Sequence, residues 1–202
     1  MFEVRLHGRG GQGVVTAADL LALAAFEEGQ HAQSFPSFGS ERTGAPVVAY
    51  CRLNDRDIRT REPVVAPDCV VLIDPTLVHQ VDLFAGLRPE GYVLVNSTRT
   101  LDQLGLGTLR DEFESAHLLT TPATEAALRQ VGKPLPNAAL LGGFAALTQR
   151  VSIGSVGTAI RERFRKDPGV AERNVAAATE IYGYALQARV PHAQGVLSAP
   201  AD

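Results

Sequence analysis

The chain has little cysteine: Cys51 and Cys69 are the only two among its 202 residues. Both lie in apolar runs outside any Cys-x-x-Cys motif, so we interpret them as small buried side chains. An iron–sulfur cluster needs four ligands, usually cysteines, and this chain therefore cannot hold one alone. The histidines are scattered without the spacing of metal ligands, so no metal site is predicted.

Long apolar runs and an excess of basic charge are also missing. The first residues have neither the basic region nor the long apolar region of a signal peptide, and no later run is long enough to cross a bilayer. The formal net charge of −3 gives no reason to expect nucleic acid or an anionic membrane as a partner. We therefore expect a cytoplasmic protein that binds neither.

Alternating segments of strand and helix type predict an α/β fold. Apolar and β-branched runs predict strands at residues 2–6, 31–35, 69–73, 92–96 and 117–120. Helices are predicted at residues 14–28, 76–84, 124–131, 137–150, 155–164 and 170–189. The expected architecture is a Rossmann-like, mostly parallel sheet with helices on both faces and a helical C-terminal segment.

A β-hairpin insertion is predicted within this pattern, because residues 46–53 and 57–60 look like two strands joined at Asn54-Asp55. Residues 190–202 are rich in alanine, proline, glycine and serine, which is typical of a flexible tail. We therefore predict a single Rossmann-like domain over residues 1–189, followed by a flexible C-terminal tail over residues 190–202.

Two features raise the question of whether another chain covers the domain. The helix predicted at residues 14–28 is apolar nearly all round, so it is covered on more than one side. Gly142-Gly143 lies inside an apolar helical segment, where glycine costs about 1 kcal/mol relative to alanine. Close approach of another backbone, from a partner or from this domain, explains such a pair.

A glycine-rich loop follows the first strand and opens the first helix. Its sequence has the pattern Gly-x-Gly-x-x-Gly and consists of Gly8, Arg9, Gly10, Gly11, Gln12 and Gly13. In this position the pattern is typical of phosphate binding at the positive end of a helix. However, no carboxylate follows at the end of the second strand to bind a ribose, so the loop can instead serve a tight turn or an interface. His7, just before the loop, is interpreted as a hydrogen-bonded structural histidine, with ligand contact as the alternative.

A second loop is expected beside the first, at the carboxyl edge of the sheet. Its candidate contact residues are Ser37, Gly39, Glu41, Arg42 and Gly44. Arg42 can bind a phosphate or carboxylate through its planar fork. The alternative is a Glu41–Arg42 pair that orders the loop. We find no Ser–His–Asp, paired-carboxylate or nucleophilic-cysteine arrangement, so no catalytic residue is predicted.

Several motifs together resemble one family, the gamma subunit of 2-oxoacid:ferredoxin oxidoreductases. The family's first signature resembles HGRGGQGVVTAA at residues 7–18, and its second resembles FPSFGSERTGAPV at residues 35–47. Further similarity lies in DPT at 74–76, NAALLG at 137–142 and the stretch at 160–182. The Gly-Ala-Pro-Val ending of the second motif is closer to pyruvate-type members. The resemblance covers about residues 2 to 185.

The resemblance implies an activity that this chain performs only with partners. Such enzymes cleave a 2-oxoacid on thiamine diphosphate, release carbon dioxide, pass the acyl group to coenzyme A and reduce ferredoxin through iron–sulfur clusters. Thiamine diphosphate, magnesium and the clusters would lie in alpha, beta and delta type subunits, with none held by this chain alone. The gamma subunit would assist assembly, cover the active site or contact coenzyme A through the two loops. A stand-alone dinucleotide-binding oxidoreductase and a regulatory module that binds a nucleotide or an acyl-coenzyme A remain as alternatives.

Overall fold

A six-stranded sheet with the spatial order β2-β3-β1-β4-β5-β6 organises the chain. The computed structural model describes residues 1–37 and 44–189. Its strands are β1 (Phe2–Arg9), β2 (His31–Pro36), β3 (Pro46–Asn54), β4 (Cys69–Leu72), β5 (Tyr92–Asn96) and β6 (Leu118–Thr121). β1, β4, β5 and β6 are parallel to one another, whereas β3 runs antiparallel to both β1 and β2. The predicted α/β sheet is confirmed, with β3 as an antiparallel member beside β1.

Helices cover both faces of the sheet, but unequally. They are α1 (Val14–Glu27), α2 (Leu109–Glu112), α3 (Ala123–Val131), α4 (Asn137–Thr148), α5 (Ile153–Arg163) and α6 (Pro168–Arg189). α1 and α3–α6 share the main hydrophobic core on one face. Short helical turns and α2 form a smaller core on the other. None of the helices in the described part of the chain is long and apolar enough to cross a membrane.

The predicted hairpin between residues 46–53 and 57–60 is wrong. β3 has neighbours on both sides already: Cys51 lies opposite Val4 of β1 and opposite Ser34 of β2. Residues 57–60 form no strand, because β1 and β2 already occupy both edges of β3. The antiparallel hairpin that does form joins β2 to β3, across the second predicted loop.

The predicted helix at residues 76–84 is shorter than expected. A 3₁₀ helix spans Pro75–His79, and its first turn is capped by the Asp74 side chain, which accepts a hydrogen bond from the Thr76 N–H. The chain then turns, so that Leu77 and Leu83 both reach the smaller core. The chain therefore leaves the helical conformation after His79, and this turn allows both leucines to be buried.

The all-round apolar character of α1 is explained within the domain. α1 packs against β2 and β3 on one side and against α5 and α4 on the other. Gly142 likewise serves an internal contact, because a Cβ there would overlap the carbonyl oxygen of Ala178 in α6. Neither feature requires a partner chain.

Candidate functional site

The glycine loop, residues 8–13, lies where the sheet reverses its order of strands. The chain leaves β1 for the outer strand β2, returns through β3 and continues from β4 to β6 on the other side of β1. In open α/β sheets such a switch point leaves a crevice at the carboxyl ends of the strands, where ligands bind. The glycine loop, the residues before β3 and the residues after β4 all meet at this edge.

Three glycines of the loop differ in their structural surroundings. Gly13 adopts a left-handed conformation with φ +74° as α1 begins, and glycine adopts that conformation without a steric penalty. A Cβ at Gly8 would approach Cγ2 of Val14 to 2.7 Å. Gly11 is exposed, and a Cβ there would meet nothing within 4 Å. Gly8 and Gly13 therefore serve the tight strand-to-helix turn, whereas Gly11 faces open space.

The side chain of Gln12 holds the loop in shape. Its Oε1 accepts a hydrogen bond from the Arg9 N–H at 2.7 Å, and its Nε2 donates to Oδ2 of Asp74 at 2.7 Å. The Gln12 N–H donates to the Arg9 carbonyl at 3.1 Å. Several polar groups of the loop are thus satisfied internally.

Arg9 and Asp74 form an ion pair at this edge of the sheet. Their side chains lie 3.2 Å apart, and Asp74 also accepts hydrogen bonds from the Thr76 N–H at 2.9 Å and the Thr76 hydroxyl at 2.6 Å. Burial alone would raise the pKa of Asp74, but the hydrogen bonds from Thr76 and Gln12 and the charge of Arg9 hold that pKa below its usual value. Asp74 therefore stays ionised and is fully engaged by its neighbours.

Arg9 also joins the glycine loop to the end of the second predicted loop. Its Nη1 donates to the Gly44 carbonyl at 3.1 Å, and its other nitrogens contact Thr76 and Gln80. Two backbone bonds strengthen this junction, from the Gly10 N–H to the Ala45 carbonyl at 2.9 Å and from the Gly44 N–H to the Gly10 carbonyl at 3.1 Å. The expectation that the two loops lie side by side is thus correct for Gly44.

At the amino end of α1, several backbone N–H groups have no hydrogen-bond partner in the part of the chain that the structure describes. The first helical bond runs from the Ala17 N–H to the Gly13 carbonyl, so the N–H groups of Val14, Val15 and Thr16 precede the helical ladder. Among residues 1–37 and 44–189, no side chain caps this end. Such an end carries a partial positive charge and attracts anions.

His7 is buried next to this edge, with 4% of its surface exposed. Its Nε2 has no hydrogen-bond partner in the described part of the chain, which differs from the expected hydrogen-bonded histidine. Burial, assisted by the charge of Arg5, lowers the pKa of His7 to about 4. His7 is therefore a neutral imidazole at pH 7.

The remaining predicted contact residues divide into two groups. The Ser37 N–H donates to the Val48 carbonyl at 2.8 Å, so Ser37 continues the β2–β3 ladder. Gly39, Glu41 and Arg42 lie outside the described residues. Asp74 was not among the predicted contact residues, although residues 74–76 contribute to the family resemblance. The signal that was available is its position at the carboxyl end of a buried strand.

The geometry does not suit a dinucleotide. In dinucleotide-binding folds, the strand next to β1 ends in the carboxylate that binds the ribose. Here β3 separates β1 from β2, and the residues of β2 include no Asp or Glu. The ribose end of such a cofactor therefore has neither its usual strand nor its usual ligand.

The residues that the structure describes do not fit a metal ion or an iron–sulfur cluster. Cys51 and Cys69 are fully buried on the strands that flank β1, and burial raises the pKa of both thiols. Within residues 1–37 and 44–189, no three His, Cys, Asp or Glu side chains group in a way that could hold a metal ion. No chemical step is therefore assigned to a metal on this chain.

Comparison with known proteins agrees with this architecture. Residues 3–184 match the family model described as pyruvate ferredoxin/flavodoxin oxidoreductase. The pyruvate synthase subunit PorC of Methanothermobacter marburgensis is 46% identical over 183 residues, which cover 90% of this chain and 96% of that protein. The common gamma subunit of the pyruvate/ketoisovalerate oxidoreductases of Pyrococcus furiosus is 45% identical over 182 residues, with coverage of 90% and 96%.

Solved structures show the same fold. The crystal structure of pyruvate oxidoreductase subunit PORC from Thermotoga maritima has a TM-score of 0.75 and 33% identity, and covers 90% of this chain and 95% of that one. A 2-oxoglutarate:ferredoxin oxidoreductase from Magnetococcus marinus has a TM-score of 0.70 at 17% identity, and the match covers 93% of this chain and 31% of that longer one. The second likeness concerns the fold alone.

The sequence motifs, the sheet with its inserted antiparallel strand and the near-complete coverage of the relatives all lead to the same assignment. The chain belongs to the pyruvate ferredoxin/flavodoxin oxidoreductase family, as a gamma-type subunit of a pyruvate-type 2-oxoacid:ferredoxin oxidoreductase.

Proposed function

We propose that this gamma-type subunit contacts coenzyme A at the edge formed by the glycine loop and the amino end of α1. The observation that carries the proposal is the uncapped start of α1 beside the exposed Gly11. Coenzyme A is rich in phosphate, and free N–H groups at a helix start are suited to phosphate oxygens. The Magnetococcus marinus protein that shares the fold was solved with coenzyme A bound, which supports the choice of ligand.

The residues of the edge take two roles in this proposal. Gly11, Gly13 and the first turn of α1 face the ligand, because their donors are not engaged by the helix. Gly8, Arg9, Gly10 and Gln12 position the edge, since their bonds tie β1 to Asp74 and Gly44. Ser37, Gly39, Glu41, Arg42 and Gly44 remain predicted contacts along the second loop.

The rest of the reaction belongs to partners in this proposal. Subunits of alpha, beta and delta type would hold thiamine diphosphate, magnesium and the iron–sulfur clusters, and the complex would pass electrons to ferredoxin in the cytoplasm. When bound there, thiamine diphosphate supplies the carbanion chemistry that decarboxylation of pyruvate needs. Support comes from the two buried cysteines here and from relatives named as subunits of pyruvate synthase.

Affinity purification of the full chain from its own cell tests the assembly. We expect larger subunits, iron and thiamine diphosphate to copurify, with coenzyme A-dependent oxidation of pyruvate measured by reduction of a viologen dye. A chain that purifies alone, from cells in which that activity is present in other fractions, would contradict the proposed partnership.

A matched pair of glycine variants tests the contact with coenzyme A. Gly11 and Gly29 both have positive φ, at +95° and +77°, and a Cβ at either meets nothing within 4 Å. Gly11→Asp adds bulk and negative charge at the site, whereas Gly29→Asp adds the same group at the opposite end of α1. We expect Gly11→Asp to raise the KM for coenzyme A in the complex at least tenfold and Gly29→Asp to leave it within twofold. Equal KM values for the two variants would remove the glycine loop from the binding site.

A further inference from the structure

Strand β2 lies at one end of the sheet and has a free edge. Among the described residues it pairs with β3 alone. The Ser37 N–H donates to the Val48 carbonyl at 2.8 Å, which shows the direction of the ladder. Because the residues of an antiparallel pair alternate between hydrogen-bonded and non-hydrogen-bonded positions, residues 31, 33 and 35 face β3. The backbone N–H and carbonyl groups of Ala32 and Ser34 therefore point away from the sheet.

Neither outward position blocks a further strand. The backbone groups of Ala32 and Ser34 have no hydrogen-bond partner within residues 1–37 and 44–189. Charged side chains commonly protect such an edge, but Ala32 is small and the Ser34 hydroxyl donates to Asp19 of α1 at 2.6 Å. The edge is thus open to pairing with another chain segment.

A groove of about 670 Å³ lies beside residues 31–33 of this edge. One wall is the end of α1, where the Phe26 side chain is 68% exposed. The opposite wall is the segment 57–59, and Oδ1 of Asp57 lies 3.1 Å from Nδ1 of His31 in β2. Arg59 is exposed on this second wall and forms no ion pair with any residue that the structure describes. The groove therefore has an aromatic wall and a wall with an unpaired positive charge.

The edge and the two walls determine which kind of ligand fits. Outward N–H and carbonyl groups two residues apart match the backbone of another β-strand. The side chains of an added strand alternate between its two faces, so one set reaches Phe26 and the other reaches Arg59. Apolar side chains suit the Phe26 ring, and a carboxylate suits the Arg59 guanidinium. The matching ligand is an extended segment in which apolar and acidic residues alternate.

We propose that the free edge of β2 docks such an extended segment of a partner subunit of the oxidoreductase complex. This inference rests on the proposed function, under which the chain works with partners, and it names the surface that one of them binds. A second copy of β2 does not match the groove, because the sequence of β2 has no Asp or Glu to meet Arg59. The groove lies at the end of the 14-residue helix α1, about 20 Å from the glycine loop, so a partner docked there leaves the loop accessible.

Amide hydrogen exchange resolved by residue tests the pairing, with the full chain measured alone and in the complex purified through it. We expect the Ala32 and Ser34 amides to exchange at least about tenfold more slowly in the complex, because a new ladder protects them. The Gln33 and Phe35 amides already face β3 and should slow less. Unchanged exchange at Ala32 and Ser34 would overturn the proposal. Equal slowing in a concentrated sample of the chain alone would also overturn it, by assigning the edge to a second copy.

Charge variants test the two walls. Phe26→Glu and Arg59→Glu each alter one wall, and Leu128→Glu and Arg163→Glu are matched controls, because Leu128 is 48% exposed on α3 and Arg163 is exposed on α5. The amount of partner subunit recovered per tagged chain should fall at least about fivefold for the wall variants and stay within about twofold for the controls. Thermal melting of each purified variant checks that it folds. Equal recovery with all four variants would overturn the proposal.

The activity of the complex separates this inference from the proposed function. The complex that Phe26→Glu or Arg59→Glu still forms should keep the KM of the wild type for coenzyme A, because the groove lies at the far end of α1. If both wall variants assemble like the wild type while Gly11→Asp raises that KM, the docking edge is wrong and the contact with coenzyme A stands. If the wild-type chain purifies without partners, the proposed function fails together with this inference.

Discussion

Gln12 and Asp74 join the glycine loop to the end of β4 through a hydrogen bond of 2.7 Å from Nε2 to Oδ2. The same amide accepts the Arg9 N–H at 2.7 Å, so one side chain fixes both the conformation of the loop and its position against the neighbouring strand. This bond explains why a loop with four glycines can have a defined shape, even though glycine gives the backbone great freedom.

Removing the Gln12 amide should therefore destabilise the domain. Gln12→Ala is expected to lower the free energy of unfolding by about 1–3 kcal/mol, because the Arg9 N–H loses its acceptor and Oδ2 of Asp74 loses one of its two partners. Urea denaturation measures the change. Gln30→Ala is the control, because that exposed amide makes one bond to the Arg150 carbonyl, and its loss should cost no more than about 0.5 kcal/mol. Equal losses for the two variants would show that the Gln12 bonds do not hold the loop.

The close contact of Gly142 with α6 predicts a large difference between two glycine-to-alanine changes. At Gly142 the new Cβ would overlap the backbone of Ala178, which cannot move aside as a flexible side chain can. Gly142→Ala should lower the free energy of unfolding by about 2–3 kcal/mol through overpacking. Gly183, in α6, has nothing within 4 Å of an added Cβ, so Gly183→Ala should raise stability by about 0.5–1 kcal/mol. Two variants of equal stability, measured by urea denaturation, would contradict the described packing of α4 on α6.

The low pKa of the buried His7 predicts that the free energy of unfolding depends on pH. Its pKa is about 4 in the folded state, whereas an exposed histidine titrates near 6.5. Between these values the unfolded chain binds a proton that the folded chain does not, so stability falls as the pH drops from about 6.5 to about 4 and this contribution then levels off. The full effect is at most about 3.4 kcal/mol, because the folded and unfolded pKa values differ by roughly 2.5 and each unit corresponds to about 1.36 kcal/mol.

The variant His7→Leu should lose this part of the pH dependence. Urea denaturation at pH 7, 6, 5 and 4 measures the slope, with His31→Gln as a control because His31 has a half-exposed side chain. His31→Gln should retain the slope of the wild type. A slope between pH 6.5 and 4 that is the same in His7→Leu as in the wild type would show that His7 is not the group responsible.

The sequence predicts most of the strands and the long helices because their signals are local. The continuous apolar run that contains Cys69–Leu72 and the glycine after helix α1 are visible without any knowledge of tertiary contacts. The strands that pair with β3 cannot be predicted from such local signals. Asn54-Asp55 gives a local turn signal, but it does not show that β3 pairs instead with β2, just before it, and with β1, more than thirty residues earlier in the chain.

The same distinction applies to the site. The glycine pattern marks the loop in the sequence, and the structure confirms its place between β1 and α1. Asp74 is separated from the loop by more than sixty residues, and only the order of strands brings it to the loop. The position of Asp74 at the end of a buried strand is visible in the sequence, but its contacts with Gln12 and Arg9 are not.

Hydrogen–deuterium exchange on the purified complex, with and without saturating coenzyme A, tests the central claim most directly. If the free N–H groups at the start of α1 bind the phosphates, the amides of residues 11–16 should exchange at least tenfold more slowly when coenzyme A is present. Residues 31–36 of β2, on the far side of β3 from the glycine loop, should be unaffected. Protection elsewhere in the complex without any at residues 11–16 would contradict a role of this chain in binding coenzyme A.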